Sequence, residues 1–335
     1  MRVAVTGAAG FIGFRTVLEA LRRGWQVDAV VRCARLPALD ALAARGAVRT
    51  VAADLSEPFQ IRAAFAGGRI PDAVLHCAGR ASDVGWSREF RRANFDSVVN
   101  LGSFCLDRGV KRVVVVSTTD VYGLRDFQGE AEEALPFDEA ARNPYPRFKI
   151  LAEKWLRDHM PPERFAVIRP AAVWGEGDRT LAPRFRAFLE KSPYIVHFGR
   201  WRGQNRWPLA DVQTVAAAVC LAAVRPEAAG LAINVLDSEH TSIDAFYRQI
   251  AAQYFPERRF KTVTLPYALG AALGGVVSGV SNVLNLSHPF ADPSLYALRS
   301  VSHNLDFSNA RLLELFSSAG ERVPRQQDVR PEDAV

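Results

Sequence analysis

Tyr145 and Lys149 stand four residues apart in Asn143-Pro144-Tyr145-Pro146-Arg147-Phe148-Lys149. Four residues is about one helical turn, so a helix here presents both side chains on one face. Asn143 can cap that helix, and Pro146 is tolerated in its first turn. A phenol beside an ammonium is a proton-transfer pair. Free tyrosine titrates at about 10, too high for a base at neutral pH, but a nearby ammonium and an oxidised nicotinamide both favour the phenolate. Tyr145 would then accept a proton from an alcohol as hydride leaves, or donate one to a carbonyl as hydride arrives. Lys149 would also hold the nicotinamide ribose. Thr118, in Ser117-Thr118-Thr119-Asp120-Val121-Tyr122-Gly123, offers a hydroxyl to orient the substrate oxygen, and Asn94 can support the lysine through its helix backbone or a water.

Those side chains need a scaffold, and the first half of the chain supplies one. Apolar runs at 2–6, 27–31, 48–53, 73–77 and 113–116 alternate with helical stretches at 11–23 and 36–45. Continuous apolar strands separated by helices predict a parallel sheet covered on both faces, a Rossmann-type doubly wound α/β fold. A further strand pair is expected at 165–169 and 232–236. Residues 1–170 therefore read as a dinucleotide-binding domain to which the later strand returns, and 171–325 as a smaller, interleaved substrate-binding region.

The cofactor signal opens the chain. Gly7, Gly10 and Gly13 in Thr6-Gly7-Ala8-Ala9-Gly10-Phe11-Ile12-Gly13 follow the first strand and start the first helix. They allow a tight turn, close approach of a pyrophosphate and close helix–strand packing, with Ala9, Phe11 and Ile12 completing the loop at the positive end of the helix. The tip of the second strand has Arg32 and Arg35 and no acid, which favours NADP(H) over NAD(H), because guanidinium pairs with a 2′-phosphate; stacking of Arg32 on adenine is the other reading. Asp28 lies too early in its strand. Asp54 and Leu55 follow the third strand, where an acid can meet the adenine amino group. Cys77, Ala78 and Gly79 end the fourth strand with small residues that leave room for a cofactor, Ser117 ends the fifth, and His76 reads as a packed core residue.

Composition narrows the classes. The 335 residues are 49% hydrophobic and 23% charged, ordinary for a globular chain of one large domain or two closely joined ones. The net charge of +6 comes from 42 basic and 36 acidic residues without a basic stripe, which argues against nucleic acid as partner. Cys33, Cys77, Cys105 and Cys220 match no zinc or disulfide spacing, so no metal is expected. With a strand expected within two residues of Met1, the expectation is a cytoplasmic protein without a leader. Residues 265–286 are apolar but broken by polar residues too early for a spanning helix. They read as a buried or substrate-covering helix, or as a patch that touches a membrane surface or another protein.

Taken together, the glycine loop, Ser117-Thr118-Thr119-x-Val121-Tyr122-Gly123, Tyr145-x-x-x-Lys149 and Arg169-Pro170-Ala171-Ala172-Val173-Trp174-Gly175-Glu176-Gly177-Asp178 resemble the extended short-chain dehydrogenases over nearly the whole chain. The 3β-hydroxysteroid dehydrogenase branch, which includes sterol-4α-carboxylate dehydrogenases and 2-alkyl-3-oxoalkanoate reductases, is the most similar. Its marks here are His76-Cys77-Ala78-Gly79 followed by Gly85-Trp86, the run from Gly175 to Arg184, and Leu265-Pro266. The resemblance implies a secondary alcohol/ketone oxidoreductase acting on a bulky apolar substrate, with Thr118 in the active-site Ser/Thr position and Pro170 and Val173 flanking the nicotinamide. It also implies a homodimer through helices at 89–106 and 147–157. Ala172 departs from the branch, where a second small or asparagine residue is frequent.

Two other classes stay open. A nucleotide-sugar epimerase or reductase would use Arg184, Arg202 and Arg206 on a pyrophosphate. The dehydratases of that group carry Thr-Asp-Glu after the same strand, and Thr119 in the first acid position argues against elimination. A non-catalytic NADP-binding sensor or scaffold would have no need of the Tyr145–Lys149 pair. The loop 199–207, rich in Arg and Trp, reads either as a site for a substrate anion or as a solvated hairpin with Trp packing.

Overall fold

A computed structural model describes residues 1–32, 36–66, 70–82, 85–237, 241–272, 274–275 and 295–324. Seven strands form one parallel sheet: β1 (Arg2–Thr6), β2 (Gln26–Val31), β3 (Val48–Ala52), β4 (Ala73–His76), β5 (Arg112–Val116), β6 (Phe165–Pro170) and, far along the chain, β10 (Ala232–Val235). Their order is β10-β6-β5-β4-β1-β2-β3. Each sequence-predicted strand is present within a residue or so of its expected ends, and the last two pair with each other, Ala232 beside Val167.

Alternation along the strands divides the core. Val3, Val5, Val114 and Val116 pack on one face with α1 (Phe11–Arg22) and α8 (Val212–Val224), and Ala4, Val113 and Val115 pack on the other with α3 (Pro58–Ala64) and α5 (Ser97–Asp107). Side chains two apart share a face. The β-branched valines of β5 suit a pleated surface buried on both sides, each contributing roughly 1.5–3 kcal/mol on burial. Helix α8 is apolar around its whole circumference and buried at eleven positions, as a helix wedged between α1, the sheet and later elements must be.

The strand order reverses between β1 and β4, where Thr6 lies beside His76. Loops leaving these two strands diverge there and open a crevice at the carboxyl ends. The remaining elements gather over that edge. They include two small parallel pairs, β7 (Ala172–Trp174) with β9 (Leu209–Asp211) and β8 (Tyr194–Phe198) with β11 (Lys261–Leu265), helices α7 (Leu181–Lys191) and α9 (Ile243–Tyr254), and the helices Leu295–Ser302 and Ala310–Ser318. Phe185, Trp207, Phe246 and Tyr247 form their aromatic centre, with ring centroids 4.6–5.5 Å apart. These short strands have no signature in the sequence reading. Among the described residues no helix is long and apolar enough to cross a membrane, and no cluster of three His, Cys, Asp or Glu side chains is arranged to hold a metal. Residues 276–286 of the apolar segment lie outside the described residues.

Candidate active site

The glycine loop is built by close approach. Gly7 has φ +64°, and a Cβ on it would stand 2.8 Å from the backbone of Ala78. A Cβ on Gly13 would stand 2.1 Å from the Gly7 carbonyl oxygen, so the first turn of α1 rests directly on the loop. Gly10, the N-cap of α1, brings no side-chain cap, and the first turn holds no acid. The leading N–H groups at Phe11 and Ile12 thus face the crevice as an anion-binding helix end, beside Ala9. This cradle fits a dinucleotide pyrophosphate.

The opposite lip is held by His76. Its Nδ1 pairs with Thr6 Oγ1 at 2.9 Å, and the same hydroxyl accepts from the Ala78 amide at 3.2 Å. Burial, with the nearby Lys149 charge, pushes the imidazole down to about 3, so it is a neutral, structural group. Burial likewise pushes the Cys77 thiol up to about 11.

At the tip of β2, Arg32 follows Val31 and is exposed; Arg35 lies outside the described residues. Asp28 is turned to other work, bound by Arg2 at 2.9 Å and Arg49 at 2.7 Å. Asp54 sits beyond β3, next to buried Leu55. Burial opposes its charge, but the Ser56 amide and hydroxyl hold the carboxyl below its ordinary range.

Helix α6 (Pro144–His159) starts as the sequence predicts, with Asn143 Oδ1 accepting from the Tyr145 amide at 2.9 Å. It carries Tyr145 and Lys149 to a cavity of about 440 Å³ at the crevice, which Thr118, Ser117, Asn94, Gly79 and Cys77 also line. Pro170 and Val173 close it from the end of β6 and from β7. Gly10, Phe11 and Ile12 reach the same cavity, whereas Gly7, Ala9, Arg32, Asp54, Leu55 and Ala78 stand outside its lining.

Within this centre, Lys149 Nζ donates to the Val116 carbonyl at 2.7 Å. Burial lowers its pKa to about 8, with the Glu153 carboxylate opposing the shift. The Tyr145 hydroxyl bonds to the Thr118 side chain, yet burial and then the Asp120 carboxylate raise its pKa above the ordinary phenol value. The protein's own groups therefore keep Tyr145 a neutral phenol, a proton donor. Asn94 and Lys149 Nζ both stand against Gly79, and the asparagine also makes contacts of its own. It lies in a single π-helical turn, Arg92–Asp96, that interrupts the helical run between Ser87 and Asp107. There its amide spans the Arg80 backbone, accepting from N at 2.9 Å and donating to O at 3.0 Å. The asparagine thus shapes the Gly79–Arg80 turn against which Lys149 lies.

Two residues at this centre were not among the sequence candidates. Asp120 lines the cavity two residues after Thr118, and its carboxylate accepts a hydrogen bond from the Tyr296 hydroxyl of helix Leu295–Ser302. Burial raises the Asp120 carboxyl above its ordinary range, against the bonds from Tyr296 and Thr118. A contact between positions 176 residues apart leaves no local pattern to read.

Beyond the centre the wall has an apolar stretch, Leu181, Trp207, Pro208, Ala297, Val301 and Leu305, with Thr180, Ser300 and the cations Arg184 and Arg80 among them. Of the three arginines considered for a pyrophosphate, Arg202 and Arg206 do not line this cavity, and Arg206 binds Asp306 at 2.7 Å. In the 199–207 loop Arg200 and Trp201 both bond Asp126, and Trp207 is buried at 3% exposure, so the tryptophans pack as one reading expected; the loop is not a hairpin, because β8 and β9 on either side of it belong to different sheets.

Residues 3–235 match the model of the NAD dependent epimerase/dehydratase family. The chain is 28% identical over 284 residues to a 2-alkyl-3-oxoalkanoate reductase of Stenotrophomonas maltophilia, covering 81% of this chain and 82% of that one. It is 30% identical over 199 residues to a 3-beta-hydroxysteroid dehydrogenase of Mycolicibacterium neoaurum, covering 56% and 51%. Among solved structures, the terminal R domain of the myxalamid PKS-NRPS pathway superposes with a TM-score of 0.73 at 19% identity, covering 97% of this chain and 86% of that one, and so shares the fold.

Proposed function

The chain belongs to the NAD dependent epimerase/dehydratase family and is an NAD(P)-dependent enzyme of the short-chain dehydrogenase type; from that premise we propose that it interconverts a secondary alcohol and a ketone on a bulky apolar substrate of the 2-alkyl-3-oxo acid or 3β-hydroxysteroid kind. One observation carries this reading: Thr118, Tyr145 and Lys149 meet at a cavity whose far wall is mainly Leu181, Trp207, Pro208, Val301 and Leu305. That wall suits hydrocarbon better than a sugar. Of the three arginines considered for a nucleotide sugar's pyrophosphate only Arg184 lines the cavity; Arg80, its other arginine, stands at the Gly79 turn beside Lys149 and Asn94.

In the proposed mechanism Gly7, Ala9, Gly10, Phe11 and Ile12 hold the dinucleotide pyrophosphate. Arg32 pairs with a 2′-phosphate, which makes NADP(H) the preferred form, and Asp54 and Leu55 border the adenine. Cys77, Ala78, Gly79, Ser117, Pro170 and Val173 frame the nicotinamide end. When bound, the cofactor supplies or accepts the hydride. Thr118 bonds the substrate oxygen and fixes the carbonyl beside Tyr145. Tyr145 gives its proton to that oxygen in reduction and takes it back in oxidation. Lys149 holds the nicotinamide ribose, and its charge stabilises the phenolate left on Tyr145. Asn94 fixes the turn behind the lysine. The face built from 89–106 and 147–157 is proposed to pair two copies.

The test is a turnover screen with reduced cofactor, followed by loss of reduced-nicotinamide absorbance. The proposal expects turnover of 2-alkyl-3-oxo acids or 3-oxosteroids and faster reaction with NADPH than NADH. Turnover confined to nucleotide-linked sugars would overturn it.

A further inference from the structure

Tyr145, Lys149 and Glu153 form one stripe along α6, each one turn from the next. The first two line the cavity; the third is 1% exposed beneath it. Glu153 Oε1 accepts from Ser117 Oγ at 2.6 Å and from Arg169 Nε at 3.1 Å, and Oε2 accepts from Arg169 NH2 at 2.5 Å. Arg169, on β6, is 2% exposed. Its NH1 donates to the Tyr122 hydroxyl at 2.6 Å, and Tyr122 donates to Asn234 Oδ1 on β10 at 2.8 Å.

Stability does not explain an ion pair at this depth. Removing two charges from water costs about what their attraction returns, and such pairs are often replaceable by hydrophobic residues without loss. The position of the pair suggests another use. Ser117 is the residue before Thr118, so the Glu153–Ser117 bond fixes the strand end from which the Thr118 hydroxyl projects. Lys149 lies one turn up the same helix face, and the Glu153 carboxylate acts on its ammonium.

We propose that Glu153 is a positioning residue of the active site, whose buried carboxylate keeps Lys149 charged against its apolar surroundings and, through Ser117, sets the strand end that presents Thr118. This rests on the reading of Lys149 and Thr118 given above, but not on the identity of the substrate. The groups that face Lys149 are Tyr145 and Glu153 on its own helix, His76 and Cys77 from the end of β4, and Asn94 from the π-helical turn. Burial and Lys149 leave His76 neutral, and burial leaves Cys77 neutral. Arg169 from β6 and Arg157, 3.8 Å away on α6, face Glu153 from its other contacts. Glu153 is thus the negative charge set against the lysine's burial.

The chain has five lysines, Lys111, Lys149, Lys154, Lys191 and Lys261, and Lys149 alone is buried. Protein labelled with ¹³C at the lysine ε-carbon can therefore be titrated by NMR, with Lys149 assigned by its absence in Lys149→Arg. In Glu153→Gln, which keeps the shape and removes the charge, the Lys149 midpoint is expected to fall by about one pH unit, a tenfold loss of proton affinity. The variant Glu153→Leu/Arg169→Leu removes both charges and covers the case in which Glu153→Gln does not fold; its midpoint should also fall, by less, because no uncompensated arginine remains. An unchanged midpoint in the folded variants, with only a lower melting temperature, would assign Glu153 a structural role and overturn the proposal. Failure of every ketone in the turnover screen would remove the substrate reading and leave this titration standing.

Discussion

At the proposed pyrophosphate cradle the site is made of backbone, and at the proposed substrate wall it is made of side chains. Gly7, Gly10 and Gly13 act by what they lack, and the amides of a short loop after one strand do the binding in the proposed mechanism. The substrate wall instead collects Leu181 from α7, Trp207 and Pro208 from a loop before β9, Val301 from the helix Leu295–Ser302 and Leu305 just after it. A backbone site tolerates almost no change in its few residues, because any Cβ meets main chain. A side-chain site changes specificity one wall at a time. The chemical centre lies where the two meet.

Predictions can press on that contrast from its strongest point downward. Tyr145→Phe removes the proton donor and touches neither kind of binding. Turnover should fall by roughly a thousandfold, while the dissociation constant for NADPH, measured by fluorescence transfer from tryptophan, stays within about threefold; a variant that keeps most of its turnover would separate the tyrosine from the chemistry. Arg32→Ala strikes the cofactor end alone. One charged hydrogen-bonding partner contributes about 1.5–3 kcal/mol, so NADPH should bind some ten- to a hundredfold more weakly and NADH should be unaffected. Equal loss for both cofactors would favour stacking on adenine over pairing with a phosphate.

Val301→Trp strikes the substrate end alone. Filling the wall should raise KM for a bulky ketone by about tenfold, a change of about 1.4 kcal/mol, with cofactor affinity unchanged. If cofactor affinity falls equally, the two ends are not separable. The last prediction concerns His76, which holds the lip between the two ends, and it is read in stability rather than in binding. His76 has a folded-state pKa depressed to about 3, below its unfolded value of about 6.5. The unfolded chain therefore binds the extra proton first as pH falls, and the stabilisation present above pH of about 6.5 is lost on the way down to about 3, by up to about 1.4 kcal/mol per pH unit. Urea midpoints at several pH values should show that slope, and His76→Gln should flatten it.

The same contrast explains what the sequence could disclose. The sheet was legible because β1, β5 and β6 are unbroken apolar runs and because the glycine spacing constrains main chain locally. Tyr145 and Lys149 share a helix whose cap, Asn143, is adjacent in sequence. The π-helical turn at Arg92–Asp96 has no periodicity distinct from its flanking helix, so Asn94 was placed near the lysine but its grip on Arg80 was not foreseen. Asp120 and Tyr296 meet across 176 positions, and Glu153 shows its value only once Arg169 and Ser117 are seen around it. The strands β7, β8, β9 and β11 are three to five residues long and take their form from packing, which pattern alone does not supply.

Helix Leu295–Ser302 is the last element to reach the cavity. During synthesis the strand β10 that completes the sheet leaves the ribosome well before it, by on the order of ten seconds if the helix Ala310–Ser318 must also dock. A nascent chain would thus own the finished sheet and glycine loop while the side of the cavity that Tyr296, Val301 and Leu305 line is still unmade.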